Sequence, residues 1–200
     1  MRICIGMRST ILTLSFFFSN TSFAGINEYI YLNSNPSYSN YGTVGIIQNP
    51  SARFQPEGTL AFSWSHNEPY LRGSIIAYPF KFLEASFQYT DSNNYLYSEV
   101  KEFSGSQSHK DKSFDFKFML RKEGIYMPQI AVGARDIAGT GRFGSEYLVL
   151  SKFVGNDLDI TLGLGWGNLT ANRINNPLDF LSNRFDRRTA SLGLGGKFNT

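Results

Sequence analysis

Cysteine is nearly absent from this chain, because its 200 residues include a single cysteine, Cys4, close to the amino terminus. That cysteine lies in a segment that we expect to be cleaved off, so disulfides cannot hold the mature chain together. The chain also lacks a large excess of either charge, since it has 19 basic and 16 acidic residues. A balance of this kind gives no basic surface for nucleic acid, and we predict no nucleic-acid partner.

Histidine is also scarce. His66 and His109 are the two histidines of the chain, both in predicted surface loops, and no third ligand stands at a spacing typical of metal sites. We therefore predict no metal site and no cofactor. The spacing of serine, histidine and aspartate does not indicate a catalytic triad either.

Residues 1–24 show the order of features that is typical of a signal peptide. Arg2 and Arg8 give a positive start, residues 11–18 form a short apolar run, and Ser-Phe-Ala at 22–24 forms a small-x-small cleavage site. The apolar run is too short to cross a bilayer as a helix. We predict cleavage after Ala24. Residues 25–58 are then an irregular lead-in segment, interrupted by proline and glycine.

What the chain has in abundance is aromatic residues, glycine and alternating hydrophobicity, with 18 Phe, 11 Tyr and 19 Gly. From Leu158 onward, apolar residues point one way and small or polar residues the other, which is the period of a β-strand with two different faces. The same pattern recurs along residues 59–200 and predicts an all-β, antiparallel up-and-down meander of about eight strands. The predicted strands are 59–65, 73–78, 83–90, 113–120, 129–136, 146–153, 158–166 and 189–198.

Two environments produce such strands: the wall of a partial outer-membrane β-barrel, or a soluble periplasmic sandwich of two layers. The barrel is favoured by predicted connections that alternate between longer and shorter, as in outer-membrane barrels. The sandwich is favoured by strands of roughly six to nine residues, against about 9–11 needed to cross a bilayer. The longer connections are 66–72, 91–112, 137–145 and 167–188, and the shorter ones are 79–82, 121–128 and 154–157.

Three segments of the chain carry a resemblance to a known family. They are GTVGIIQNPSARFQPEGTLAFSWS (42–65), SFDFKFMLRKEGIYMPQIAVGARDIAGTGRFGSEYLVLSKF (113–153) and LDITLGLGWGNL (158–169). In these residues the chain resembles the YjbH family, exported proteins linked to exopolysaccharide production in Gram-negative bacteria. The resemblance implies an outer-membrane β-barrel protein that serves synthesis or export of an extracellular polysaccharide, beside a small periplasmic protein and a lipoprotein.

The chain differs from members of the family in two respects. Members of the family are much longer than this chain, so we expect an amino-terminal fragment with an incomplete barrel over residues 59–200. Some members are called lipoproteins, but Cys4 lies upstream of the apolar run, where it cannot become a lipidated first residue, so we do not carry that label over.

Two groups of polar residues are candidates for a site. Arg135, Asp136 and Glu146 flank a glycine-rich loop and could contact saccharide hydroxyls, although Arg135 and Glu146 could equally pair across a strand end. The second group lies opposite apolar residues on its strands and could line a lumen as a polar track, or merely pair and fill a narrow barrel. Its members are Glu84, Asp115, Lys117 and Asp159.

Three functions remain open from the sequence. The first is a non-enzymatic outer-membrane protein of exopolysaccharide biosynthesis or export, with outer-membrane lipid, polysaccharide and other proteins of that pathway as partners. The second is a small barrel enzyme acting on lipid or glycan, which would need His66, His109, Asp136 or Glu146 in catalysis. The third is a soluble periplasmic β-domain.

Overall fold

The computed structural model describes residues 36–155, 158–170, 175–181 and 185. In these ranges seven strands form one antiparallel sheet, in which each strand pairs with the next along the chain and which curls into a half-barrel. The predicted all-β antiparallel meander is therefore confirmed. Two shorter strands, β1 (Gly45–Ile46) and β2 (Asn49–Pro50), form a separate hairpin. The seven strands are β3 (Leu60–Asn67), β4 (Tyr70–Phe80), β5 (Leu83–Leu96), β6 (Ser108–Arg121), β7 (Gln129–Arg135), β8 (Ser145–Val154) and β9 (Leu158–Gly165).

The two faces of the sheet are reversed relative to those of a water-soluble protein. In the middle of the sheet, polar residues point to the concave face and are buried, as Lys117 is at 0% exposure. Apolar residues point to the convex face, where Phe62 and Leu162 are 68% and 69% exposed. Ile160 is 40% exposed on the same face, so among the described residues no second layer seals Ile160 and Leu162 in a dry core.

Two strands are much longer than their polar sequences predict. β5 and β6 have 14 residues each, whereas the alternation predicted 83–90 and 113–120. Most of the added residues are Asp, Ser, Asn, His or Lys, which have little intrinsic preference for strands. They extend the sheet because they pair across it: Asp91 stands opposite Lys110 and forms a salt bridge with it.

The lengths of the connections alternate less regularly than predicted. One end of the sheet, which we call the loop end, carries residues 68–69, 97–107 and 136–144, with a short helix α1 (Lys101–Ser104) in the second of these. The other end carries 81–82, 122–128 and 155–157. The predicted long connection 66–72 is wrong, because β3 and β4 continue to a two-residue turn at 68–69. Between the described strands the two longest connections are thus 97–107 and 136–144, and the predicted connection 167–188 lies partly outside the described residues.

Residues 36–58, which we call the inner segment, lie against the concave face of the sheet. The contact is so close that a Cβ on Gly42, whose φ is +79°, would stand 2.3 Å from Cβ of Ser74. The apolar core forms where the segment meets the sheet, in two small clusters that contain Val44 and Ala52 of the segment respectively. Their other buried members are Ile76 and Tyr78 in one, and Ala131, Tyr147 and Val149 in the other.

Several sequence predictions lie outside the described residues: the signal peptide 1–24, the first part of the lead-in 25–58, and the strand 189–198. Among the described residues β3 and β9 each pair with one neighbouring strand, so the sheet is open along both. In the same ranges, no helix combines the length and apolar character needed to cross a membrane.

Candidate functional site

A buried ion pair lies at the centre of the concave face. Glu84 and Lys117 stand opposite each other on β5 and β6, and Lys117 Nζ lies 3.0 Å from Glu84 Oε2. Lys117 Nζ also donates to the carbonyl oxygens of Val44 (3.3 Å) and Arg53 (2.9 Å). Glu84 Oε2 accepts from the Tyr78 hydroxyl at 2.7 Å and from the Val44 N–H at 3.3 Å. The pair therefore joins two strands of the sheet to the backbone of the inner segment.

A second ionic cluster fixes the inner segment at the end opposite the loop end. The Arg53 guanidinium donates to both carboxylate oxygens of Asp159 (2.9 and 2.7 Å) and to Glu123 Oε2 (2.5 Å). Lys152 Nζ donates to the other Glu123 oxygen at 2.9 Å. Burial raises the pKa of Glu123, but the hydrogen bonds from Lys152 and Arg53 outweigh it and hold that pKa below its ordinary value. Glu123 is therefore an ionised partner of Arg53 at neutral pH.

Uncharged and cationic side chains of the sheet also bind the backbone of the inner segment. Gln88 Nε2 donates to the carbonyl oxygen of Tyr41 at 2.7 Å, and Ser151 Oγ accepts from the N–H of Ala52 at 2.9 Å. Arg135 donates to the carbonyl oxygen of Gln48 at 3.1 Å. Because these partners come from β5, β7 and β8, the segment is bound across the width of the half-barrel rather than at one edge.

Near the loop end, two arginines stack on aromatic rings. The guanidinium carbons of Arg135 and Arg72 lie 4.3 and 4.6 Å from the centroid of the Tyr41 ring. Arg72 also lies 4.5 Å from the Tyr70 ring and 5.2 Å from the Phe143 ring. Contacts of this kind stabilise buried cations by about 0.5–2 kcal/mol. The cluster concentrates positive charge and aromatic surface in one corner of the concave face.

The three residues proposed from the glycine-rich loop are separated by the sheet. Arg135 is on the concave face, where it pairs in register with Ser145. Glu146 is one position further along β8, on the convex side, and accepts from Asn176 Nδ2 at 2.8 Å. Asp136 supports the local backbone: its N–H donates to Asp115 Oδ1 at 2.8 Å, and its Oδ2 accepts from the Phe143 N–H at 3.1 Å.

The four residues proposed to face a lumen all lie on the concave side. Glu84, Asp115 and Lys117 are buried there, while Asp159 on β9 is partly exposed and paired with Arg53. Alternation along the strands is sufficient to place all four. It could also have indicated Gln88, two residues before Thr90 on the polar face of the same strand. Arg53 and Glu123 had no such signal, because both lie in irregular segments.

In the described ranges no three His, Cys, Asp or Glu residues are grouped closely enough to hold a metal ion together. His66 is exposed and lies 3.0 Å from Glu68, as expected of a surface histidine. His109 was also predicted to be a surface residue, and this is wrong: it is buried with its ring Nδ1 3.3 Å from Arg142. The reason is that β6 begins at Ser108, so His109 is part of the sheet.

Comparisons with known proteins cover most of the chain. The model of the YjbH family, described as "Exopolysaccharide biosynthesis protein YbjH", matches residues 37–200. A protein of Escherichia coli (strain K12) named "Uncharacterized lipoprotein YjbH" is 45% identical over 165 residues, which are 82% of this chain and 24% of that protein. No solved structure gives a significant match. Since the family model matches well over half of its residues, the chain belongs to the YjbH family of exopolysaccharide biosynthesis proteins, and it spans about a quarter of the length of the E. coli relative.

Proposed function

We propose that this chain forms part of an outer-membrane β-barrel that takes part, without being an enzyme, in the biosynthesis or export of an exopolysaccharide. The observation that carries the proposal is the reversal of the two faces of the sheet. Charged and polar side chains are buried on the concave side, and large apolar ones are exposed on the convex side. This is the arrangement of barrels that have hydrocarbon outside and a polar interior.

The convex face offers a continuous apolar belt for lipid. Phe62, Ile75, Phe87 and Phe114 stand side by side on β3 to β6, each in register with the next. In water, such a belt would expose apolar area that single-domain soluble proteins avoid. Against hydrocarbon the same residues are favourable, which supports outer-membrane lipid as the partner of this face.

Strand length supports the same proposal. Four of the strands, β4, β5, β6 and β8, have 11, 14, 14 and 10 residues. About 9–11 residues are needed for a tilted strand to cross the hydrocarbon layer. The shortness of the predicted strands was the main argument for a soluble domain. That argument does not apply to these four strands.

The inner segment determines what the concave face can do. It fills the half-barrel and uses the buried Lys117–Glu84 pair and the Arg53 cluster as attachment points. We propose that it acts as a plug, so that the face binds or guides saccharide around the segment instead of forming an open pore. Export of the chain is supported by the features of a signal peptide at 1–24, and the E. coli relative is named a lipoprotein. Periplasmic and lipoprotein partners of the pathway remain part of the proposal.

A deletion strain tests this proposal in cells. The gene is deleted in its own host and complemented with the full chain, and membranes are separated on a density gradient. We expect the chain in the outer-membrane fraction, and a several-fold loss of secreted polysaccharide in the deletion strain that complementation restores. A chain that is released with the periplasmic contents without detergent, or a polysaccharide yield that the deletion leaves unchanged, would contradict the proposal.

A further inference from the structure

A small pocket lies at the loop end, between the inner segment and the adjoining ends of β7 and β8. It has a volume of about 110 Å³. Since one water needs roughly 10–15 Å³, the pocket has room for several waters, or for the carboxylate group of a sugar. We call it the Arg135 pocket. Its lining includes Tyr41, Gln48, Arg135, Phe143, Ser145 and Asn168.

Two of the polar groups that line the pocket are buried without a hydrogen-bond partner. Arg135 is 2% exposed, and its Nε and Nη2 nitrogens have no acceptor among the described residues. Ser145, which is 1% exposed and stands opposite Arg135 in the β7–β8 register, has an equally unpartnered hydroxyl in that part of the chain. A buried polar group without a partner is unfavourable by about 1–3 kcal/mol, and more when charged. These two groups are therefore positions at which a ligand in the pocket would gain hydrogen bonds.

The orientation of Arg135 is set independently of any ligand. The remaining guanidinium nitrogen, Nη1, donates to the Gln48 carbonyl oxygen at 3.1 Å, and the guanidinium stacks 4.3 Å from the centre of the Tyr41 ring. Asp115 attracts the guanidinium electrostatically from the sheet but does not engage the two unpartnered nitrogens. The guanidinium is thus held in place, while the nitrogens of one edge, Nε and Nη2, have no acceptor among the described residues.

The chemistry of the lining selects an acidic sugar. The Nε–Nη2 edge of a guanidinium matches the two oxygens of a carboxylate. The carboxamides of Gln48 and Asn168 and the Ser145 hydroxyl can hydrogen-bond sugar hydroxyls. The rings of Tyr41 and Phe143, 6.3 Å apart and inclined at 69°, add an apolar wall of the kind that ligand pockets combine with a few polar groups. No carboxylate lines the pocket to repel an anion.

We infer that the Arg135 pocket binds one uronic acid unit of a saccharide, with the sugar carboxylate on Nε and Nη2 of Arg135. The inference rests on the proposed function, because a polysaccharide pathway is what would bring such a ligand to the concave face. It assigns the ligand class and the contacting residues, which the proposed function leaves open. Arg135 supplies the charge, and Ser145 supplies a hydrogen bond beside it.

A binding measurement on the purified full chain in detergent micelles tests the inference. Methyl glucuronide is titrated by calorimetry, with methyl glucoside as the neutral counterpart and acetate and inorganic phosphate as simple anions. We expect the glucuronide to bind at least about tenfold more tightly than the other three, since a charged hydrogen-bonded contact is worth roughly that much or more. Equal binding of the glucoside, of acetate or of phosphate would overturn the inference.

Three variants assign the binding to the pocket. Arg135→Gln is expected to weaken glucuronide binding by roughly tenfold to a hundredfold. Ser145→Ala, which removes a single atom and leaves the charge, is expected to weaken it several-fold and keeps the test valid if Arg135→Gln does not fold. Arg142→Gln is the matched control, because Arg142 lies in the same loop region but does not line the pocket, and it is expected to bind as the unmodified chain does. Unchanged binding in Ser145→Ala and in a folded Arg135→Gln would refute the assignment.

The binding test and the deletion-strain test can fail independently of each other. If the chain reaches the outer membrane and restores secretion but binds no glucuronide, the pocket assignment is wrong and the proposed function stands. If the purified chain binds glucuronide but does not support secretion, the proposed function is wrong and the pocket remains a uronate site.

Discussion

Replacing Lys117 by methionine will destabilise the folded chain by about 3–5 kcal/mol. Methionine keeps the length of the side chain but removes the charge, so the Glu84 carboxylate is left buried without its cation. The carbonyl oxygens of Val44 and Arg53 lose a hydrogen-bond donor in the same step. The loss is measured as a shift in the unfolding transition of the chain in detergent micelles, followed by tryptophan fluorescence in increasing urea.

Two further variants show whether the loss of stability comes from breaking the buried pair or from removing a lysine of any kind. Lys112→Met removes an exposed lysine near the loop end of the same strand and should change the stability by no more than about 1 kcal/mol, because a lysine on the lipid face costs about 0–1 kcal/mol near the membrane interface. In the double variant Glu84→Gln/Lys117→Met neither charge remains, and much of the lost stability should return, because a buried pair is costly chiefly when one member is removed. If Lys117→Met matched Lys112→Met, the pair would have no structural role.

Replacing Ile75 by arginine will prevent or weaken insertion of the chain into membranes. Ile75 is at the middle of β4, on the convex face, between Phe62 and Phe87. An arginine on the lipid face of a barrel costs about 2–4 kcal/mol near the bilayer midplane. On a soluble protein the same change would replace an exposed apolar residue by a charged one and would improve solubility, so the two accounts predict effects of opposite sign. The measurement is the fraction of urea-unfolded chain that folds into phospholipid vesicles and floats with them.

Ile46→Arg is the matched control for this substitution. Ile46 is the same residue type and is similarly exposed, at 55% against 51% for Ile75, but it lies in the β1–β2 hairpin of the inner segment. We expect Ile46→Arg to insert as the unmodified chain does. Equal insertion of the Ile75 and Ile46 variants would show that the convex face does not contact hydrocarbon.

The sequence predicts the central parts of the strands well, because alternation of side chains on a pleated sheet is a local property. The strand predicted at 158–166 is Leu158–Gly165 in the structure, and the one at 129–136 is Gln129–Arg135. The same alternation separates Lys117 and Glu84 from the apolar residues beside them. Alternation cannot predict where a strand ends when the residues that pair at its end are polar. Asp91 and Lys110 extend β5 and β6 because they pair with each other, and this pairing depends on how the two strands are aligned in the sheet.

The position of the inner segment could not be predicted, because it depends on contacts between residues far apart in the sequence. Arg53 meets Asp159 across 106 positions and Glu123 across 70. The segment itself has proline and glycine in place of a periodic pattern, so its sequence indicates only that it is irregular. The Arg135 pocket has the same origin. Arg135 was singled out for its charge and its glycine-rich neighbourhood, but Tyr41 and Gln48, which complete its surroundings, lie about 90 positions earlier in the chain.

The location of Trp64 tests most directly whether the convex face contacts hydrocarbon. Trp64 is one of two tryptophans in the chain, is 62% exposed and lies on β3 beside Phe62, so a Trp166→Phe variant reports on Trp64 alone. The variant is reconstituted in vesicles whose lipids carry bromine on their acyl chains, and its fluorescence is compared with that in unbrominated vesicles and with added iodide. The account predicts strong quenching by the brominated chains and little by aqueous iodide. Quenching by iodide, with no effect of the bromine, would place Trp64 in water and contradict it.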